Sequence, residues 1–386
     1  MKEKRIALLI ETSTSWGTGL VKGIADYAHA HDNWSFFVEP RGRYELLQLP
    51  GGWTGDGIIA RVTHQALADQ IIASGKPAVN VSWYDFGSES IPHCTADELQ
   101  AGPLIAEHFI TRGFRQFAYC GPVNRPNYVD LFGQAFQAAI AQAGYECLCF
   151  EDNAPGARNS TWESVMAGLG EWVVALPKPI ALLVHNDVRC RQLSEACRLN
   201  GVKVPEEIAL IGGEHDMLSC QMSRPKLSSI DFSAEQVGSQ AAAMLAGMMA
   251  GDPYPAESIR IPLARIIVRQ STDTLAVDDP LIVQAVRFII ENASRAISVN
   301  DVVKAVPTSR RKLEMRFQNT LQRSPASEIR RVRIEHVKQL LVDTDWAMPQ
   351  IAAKCGFERV EVLTRTFKKQ EGITPRAYRN KFRSKE

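Results

Sequence analysis

The sequence has no long apolar run. Nothing in it approaches the roughly 18 consecutive residues that a bilayer-crossing helix needs, and the charged start Met1-Lys2-Glu3-Lys4-Arg5 is unlike a secretory leader. A membrane protein is not expected, and a periplasmic transport receptor is disfavoured for want of a leader. The cysteines, at 94, 120, 147, 149, 190, 197, 220 and 355, include no C-x-x-C pair and no Cys/His spacing suited to zinc. They read as reduced thiols of a cytoplasmic protein. The G-x-S-x-G elbow, the P-loop and H-E-x-x-H are all missing, and the histidines (29, 31, 64, 93, 108, 185, 215, 336) show no nucleophile–base spacing. An enzyme is not expected, and no cofactor or metal is called for.

Net charge is also nearly absent, at +1 over 386 residues, but the sum conceals a split. Residues 1–277 carry 22 Lys+Arg against 30 Asp+Glu, whereas residues 278–386 carry 22 against 13. An acidic part is joined to a basic one, and the basic part is the piece suited to a polyanion.

The acidic part alternates short apolar runs with helical patterns. Strands are expected at Arg5–Glu11, Ser35–Glu39, Asp56–Arg61, Ala78–Trp83, Gln116–Gly121, Glu146–Phe150, Ile180–His185 and Ile208–Gly212. Repeated strand–helix–strand units predict parallel sheets with ligand chemistry at the carboxyl ends of the strands. The length fits two lobes over residues 1–270. Ser271-Thr-Asp-Thr begins a polar stretch to 279 that reads as a linker, and Asp279-Pro280 then reads as an N-cap with Pro in the first turn.

Residues 280–386 read as all-helical. One helix pair turns at Val306-Pro307-Thr308, and its second helix, capped by Ser309, buries Leu313 and Phe317 at i, i+4. A second pair repeats the scheme, with Ile351 and Ala352 on its first helix, Gly356 in the turn, Phe357 as an apolar plug, and Leu363 and Phe367 buried. A long helix joins them; Ile329, Val332, Val337, Leu340 and Leu341 line one face, and Arg330, Arg331 and Arg333 occupy the other.

Ser309-x3-Leu-x3-Phe317, Ile351-Ala-x-x-Cys-Gly-Phe357, Leu363-x3-Phe-Lys368 and Gly372-Ile-Thr-Pro-Arg-x-Tyr-Arg379 together resemble the AraC-type transcription regulators, over about 100 residues. The departures are Pro307 in the turn and Lys338 in place of a common alanine. The resemblance implies two helix-turn-helix units entering successive major grooves of operator double-stranded DNA, one turn or about 34 Å apart. It implies base contacts from Arg311, Glu314, Met315, Val360, Glu361, Thr364 and Arg365, and phosphate contacts from Arg310, Lys368, Arg376 and Arg379.

Two readings compete for the acidic part. Gly17-x-Gly19-x3-Gly23 followed by Glu39 has the layout of a dinucleotide fingerprint, which would make this part an NAD(H)-binding redox sensor or enzyme. The first glycine stands too far from the strand end, however, and the third is one residue late. The preferred reading rests on Leu183-Val-His-Asn-Asp187, then Asn200-Gly-Val-Lys-Val-Pro-Glu-Glu-Ile-Ala-Leu-Ile-Gly-Gly-Glu214, then Arg224-Pro-Lys-Leu-Ser-Ser-Ile230. With Asp56-Gly-Ile-Ile and Arg112-Gly-Phe-x-x-Phe-Ala-Tyr, these resemble the LacI/GalR sensor domain. That implies a two-lobed, periplasmic-binding-protein-like α/β domain with a monosaccharide in its cleft.

A sensor of this type fused to an AraC-type module resembles the xylose-operon type of regulator in enteric bacteria. The resemblance implies a pentose such as xylose as effector, homodimerisation, and recruitment of RNA polymerase as an activator. Candidate ligand residues at strand ends are Glu11, Trp16, Arg61, Trp83, Asp97, Asn124, Tyr128, Asp187 and Glu214. Buried sugar hydroxyls need directional partners and an aromatic face. Trp16 and Trp83 suit either packing or stacking on a sugar. Asp187 and Glu214 suit either ligand contact or a cap or interlobe hydrogen bond. Asp130, or a close neighbour, stands where sensors of this kind often place a sugar-clamping Arg.

Overall fold

The computed structural model describes residues 3–31, 33–42, 45–122, 128–150, 161–254, 258–262, 265–277 and 279–382. The chain divides into two compact units. One comprises Met1–Glu107 and Gln116–Thr274, the other His108–Arg115 and Leu275–Glu386.

The first unit opens with β1 (Lys4–Leu9), α1 (Ser15–His31), β2 (Trp34–Val38), β3 (Gly57–Ala60), α2 (Gln65–Ala73) and β4 (Ala78–Asn80). Their parallel sheet has the order β2-β1-β3-β4. β5 (Cys94–Ala96) and α3 (Ala101–Ile110) follow. The next elements are β6 (Phe117–Cys120), α4 (Leu131–Gln142), β7 (Cys147–Phe150), α5 (Trp162–Ala175), β8 (Ile180–Val184), α6 (Asp187–Leu199), β9 (Ile208–Gly212), α7 (Met217–Met222) and β10 (Ser228–Asp231). After α8 (Ala234–Ala250) come β11 (Ile259–Ile261), which pairs with β5, and β12 (Arg265–Ile267), which closes the second sheet antiparallel to β10. That sheet runs β12-β10-β9-β8-β6-β7. Every residue of β8 and β9 is buried, as continuous apolar strands covered by helices on both faces must be.

All eight expected strands are present, most of them shorter than the expected span, while β1 and β2 begin one residue early and β9 matches its expected span. The chain crosses back after β10, so α8 packs on α1 of the first lobe at backbone distance. A Cβ on Gly238 would strike the Leu20 carbonyl, and one on Gly23 the Glu235 carbonyl. Of the glycines of the apparent dinucleotide fingerprint, Gly19 and Gly23 therefore serve helix packing, and Gly17 lies against the Glu11 carbonyl. Gly19 lies against Ala234 and Gly23 against Glu235, while Glu39 pairs with Arg41 at the surface. This removes the residues on which the NAD(H) reading rested.

The stretch read as a linker is also corrected at its start. Ser271 and Thr272 are fully buried beside the sheet. The Ser271 hydroxyl donates to the Leu210 carbonyl at 2.6 Å and accepts from the Ser228 amide at 2.8 Å. Polarity suggested solvent there, but the Ser271 hydroxyl bridges backbone groups of β9 and β10, and that of Thr272 meets the Ser228 hydroxyl.

The second unit holds α9 (Pro280–Asn292), α10 (Val299–Ala305), α11 (Arg310–Leu321), α12 (Pro325–Asp343), α13 (Met348–Lys354), α14 (Val360–Glu371) and α15 (Pro375–Phe382). Asp279 caps α9 as its sequence predicts, accepting from the Leu281 amide at 3.1 Å. Among its described residues the unit has two apolar cores that share no residue. One gathers α9–α11 with Ile329 and Val332 of α12; the other gathers α13–α15 with Ile334, Val337 and Leu341 of the same helix.

Candidate functional site

Within the first unit, the carboxyl ends of β1, β3 and β4 face those of β6, β8 and β9. On the first lobe, Glu11 and Arg61 follow β1 and β3 and form a buried ion pair. The Arg61 guanidinium lies over Trp83, 6.0 Å from the ring centroid. Trp83 stacks on Trp16 at 4.8 Å and meets Phe232 edge-on at 6.2 Å. Both indole nitrogens, Trp16 Nε1 and Trp83 Nε1, are buried with no hydrogen-bond partner among the described residues. A buried N–H without an acceptor is costly, so this wall is incomplete as a purely structural core.

The facing wall comes from the second lobe. Tyr128 packs on Tyr84 of the first lobe at 5.3 Å and on His185 at 5.6 Å. Asp130 caps α4 through the Gly133 amide at 3.0 Å and accepts the Tyr119 hydroxyl at 2.7 Å; His185 Nδ1 stands 3.9 Å from it. Two left-handed residues in succession, Glu214 at φ 78° and His215 at φ 51°, follow β9. Strain of this kind gathers at ligand sites, at about 1–3 kcal/mol per residue. On one side the lobes are joined by Ser15, whose hydroxyl accepts from the Met217 amide at 3.1 Å. A cavity of about 440 Å³ lies at this rim, lined by Thr12 to Ser15, Thr18, Val188, Asp216, Leu218 and Ser219.

Two ligand candidates, Asp187 and Asp97, are engaged by the protein's own hydrogen bonds. Asp187 is fully buried, and its carboxylate accepts the Asp216 amide at 2.5 Å and the Ser229 hydroxyl at 2.8 Å. Burial pushes its pKa up to about 7, against these hydrogen bonds. Both bonds reach Oδ2 and tie the β9–α7 loop to the start of α6, while Oδ1 is buried with no hydrogen-bond partner among the described residues. Asp97 uses both oxygens within its own turn, accepting from the Leu99 amide and the Gln100 side chain. The next residue, Glu98, is the buried one: burial, then the nearby Asp130, raises its pKa to about 8, with Arg260 opposing. Glu98 escaped sequence reading because it lies two places beyond the end of β5, a strand the sequence pattern did not announce, although the Asp97-Glu98 pair was visible. Asn124 lies outside the described residues.

In the second unit, α11 and α14 are the second helices of the two helix-turn-helix pairs. Leu313, Phe317, Leu363 and Phe367 are fully buried, and Gly356 turns at φ +69°, as expected. Arg311, Glu314, Met315, Glu361, Arg365, Lys368 and Arg376 are exposed. Arg310 is exposed too and pairs with Glu314 at 3.0 Å, a surface contact weak enough to exchange for a phosphate. Thr364 and Val360 are half-buried, and Val360 packs against the second core.

The arginines of the linker region need correction. Arg379 turns inward, donating to the carbonyls of Leu341 at 3.0 Å and Trp346 at 2.6 Å, which takes it out of the phosphate-facing set. Arg331 pairs with fully buried Glu328 at 2.6 Å, and Arg323 joins it. Burial alone would raise the Glu328 carboxyl, but the two guanidinium groups hold it down at about 2. Arg333 is turned onto the α9–α10 loop. Only Arg330 of the expected arginine face is exposed. The helical period placed these residues opposite the apolar stripe, but three loop carbonyls and one buried carboxylate draw two of them in.

The model of a periplasmic binding protein-like domain matches residues 106–272, and that of a helix-turn-helix domain matches residues 302–381. The chain is similar to the xylose operon regulatory protein of Escherichia coli (strain K12), with 28% identity over 389 residues, 98% of this chain and 97% of that one. It is likewise 28% identical over 381 residues to the xylose operon regulatory protein of Haemophilus influenzae, covering 97% and 98% of the two chains. Among solved structures, a xylose-binding transcription activator matches over 100% of both chains with a TM-score of 0.63 and 26% identity.

Proposed function

We propose that this chain, a sugar-responsive transcriptional regulator made of a periplasmic-binding-like sensor and a helix-turn-helix DNA-binding domain, answers to a pentose of the xylose kind. The observation that carries the sugar site is the Trp16–Trp83 pair. It offers an aromatic face beside a buried Glu11–Arg61 pair and two indole N–H groups with no acceptor among the described residues. A pentose stacked there would present hydroxyls to those donors and to the Glu11 and Asp130 carboxylates, and its apolar ring face to the indoles. Asp130, standing where an arginine clamp is common, would accept rather than donate.

The sugar acts by binding the closed arrangement of the two lobes better than the open one, since only differential affinity shifts an equilibrium. Operator contacts come from the exposed faces of α11 and α14, with Arg311, Glu314, Met315, Glu361, Thr364 and Arg365 reading bases and Arg310, Lys368 and Arg376 holding phosphates. The regulator works in the cytoplasm as a homodimer that recruits RNA polymerase, and it has no catalytic role. Full-length similarity to xylose operon regulatory proteins supports the choice of sugar.

Calorimetry of the full chain with xylose, ribose, arabinose, glucose and NAD(H) tests the reading. Xylose should bind, with quenching of tryptophan fluorescence that is lost in Trp83→Ala. Binding of a hexose alone would move the effector to another sugar class, and binding of NAD(H) alone would overturn the sensor reading.

A further inference from the structure

The second unit contains a polar joint away from its base-facing helices. The loop between α9 and α10 wraps three backbone carbonyls around one guanidinium, that of Arg333 on α12. Nε of Arg333 donates to the Ala293 carbonyl at 3.4 Å, and Nη2 donates to those of Arg295 and Ile297 at 2.8 and 3.0 Å. The same guanidinium lies over the ring of Phe357, 5.8 Å from its centroid. Gly356, in the turn of the second helix-turn-helix pair, presses on this loop at φ +69°. A Cβ there would stand 2.7 Å from the Ala293 carbonyl oxygen and nearer still to that of Arg295.

Three pieces therefore meet at one point: the loop that leads into the first pair, the connecting helix, and the turn of the second pair. The position of Arg333 gives the joint its weight. It falls between Val332, the last α12 residue of the first core, and Ile334, the first of the second core. Among the described residues the two cores share no side chain, so beyond the common helix α12 no apolar packing ties one pair to the other. A planar guanidinium held by three carbonyls in a fixed fork does.

We propose that Arg333, seated against the Gly356 turn, is a positioning residue that sets the spacing and angle between α11 and α14, and with them the base-pair separation this protein accepts between its two half-elements. The inference rests on reading the unit as a two-helix DNA reader. Each base pair added between the halves moves the second by about 3.4 Å and turns it by about a tenth of a full rotation. A locked pair of helices then rejects a displaced half-element that a loosened pair tolerates. Arg333 touches no base in this scheme, so its loss leaves the preference at each base unchanged.

The test uses the full-length chain and a two-part duplex that it selects from a randomised pool. The duplex is rebuilt with one to five base pairs inserted or removed between its halves, alongside each half alone. Anisotropy titrations should show wild-type affinity falling about tenfold or more for one displaced base pair. In Arg333→Ala the fall should shrink to threefold or less, with each half alone bound within twofold of wild type. Arg333→Lys should lie between, since an ammonium lacks the planar fork. Gly356→Ala should broaden the profile in the same way.

An unchanged spacing profile in Arg333→Ala overturns the proposal, as does a proportional loss on the halves and on every spacing. If circular dichroism shows that the alanine variants do not fold, Arg333→Lys decides by the same profile. If wild type selects a duplex with one half-element only, the proposal falls while DNA binding stands. If it selects none, the DNA-binding reading itself has failed, and the proposal with it.

Discussion

Glu98 is a buried carboxyl beside a second carboxylate, and its chemistry follows from that neighbourhood. Burial and Asp130 raise its pKa from 4.5 to about 8, so near neutrality it carries its proton and can donate to a ligand oxygen. The sign of its pH effect is fixed. With a folded pKa above the unfolded one, its contribution to stability is complete below about pH 4.5 and is lost as pH rises through 8. The melting temperature of Glu98→Gln should therefore fall less than that of wild type between pH 5 and 9; parallel curves would show that Glu98 is not the titrating group. Asp187 makes a contrasting prediction. Asp187→Ala strands the Asp216 amide and the Ser229 hydroxyl, at about 1–3 kcal/mol for each buried group left unpaired. Chemical denaturation of the variant should show a less stable sensor, and a normal midpoint with lost sugar binding would return Asp187 to the ligand set.

At the scale of elements, the sensor depends on the contact of α1 with α8. Gly23 and Gly238 allow the two backbones to touch, and a methyl at Gly23 would strike the Glu235 carbonyl. Gly23→Ala should cost about 1–3 kcal/mol, the usual scale of overpacking, read as an earlier sensor transition in a thermal melt. In the DNA-binding unit each recognition helix is seated by one aromatic, Phe317 or Phe367, both fully buried. Truncating either to alanine should cost about 3–5 kcal/mol and abolish binding to the corresponding half-element. Equal loss on both halves would mean that the two pairs unfold together.

The whole molecule is divided by charge: an excess of eight acidic residues up to 277 and of nine basic ones beyond it. Affinity for DNA should fall steeply with salt, because each neutralised phosphate releases counterions. Lys368→Ala should lower the slope of log K against log salt by about 1 and weaken all duplexes alike. Arg365→Ala should instead cost about 1–3 kcal/mol on the selected duplex and relax one base position. A variant at 365 with unchanged sequence preference would remove Arg365 from the base-reading set.

The sequence by itself determined eight of the strands, the division into an acidic α/β part and a basic helical part, and the two helix-turn-helix pairs; β5, β10, β11 and β12 it did not announce. Those features are local and periodic. Runs such as Ile180–Val184, the i, i+4 pair Leu313 and Phe317, and the Asp279-Pro280 cap announce themselves within a few residues. Only the tertiary structure decided what polar residues do once buried. Period put Arg331 and Arg333 at the surface and family resemblance put Arg379 on phosphate, yet each finds its partners 3 to 40 positions away along the chain. The glycines of α1 looked like a phosphate loop until α8 packed on them from more than 200 residues away. Pattern reports which face of an element is apolar. Which distant carbonyl, carboxylate or backbone meets a given polar group is settled only when the elements pack, because an unpaired polar group costs most where no water reaches it.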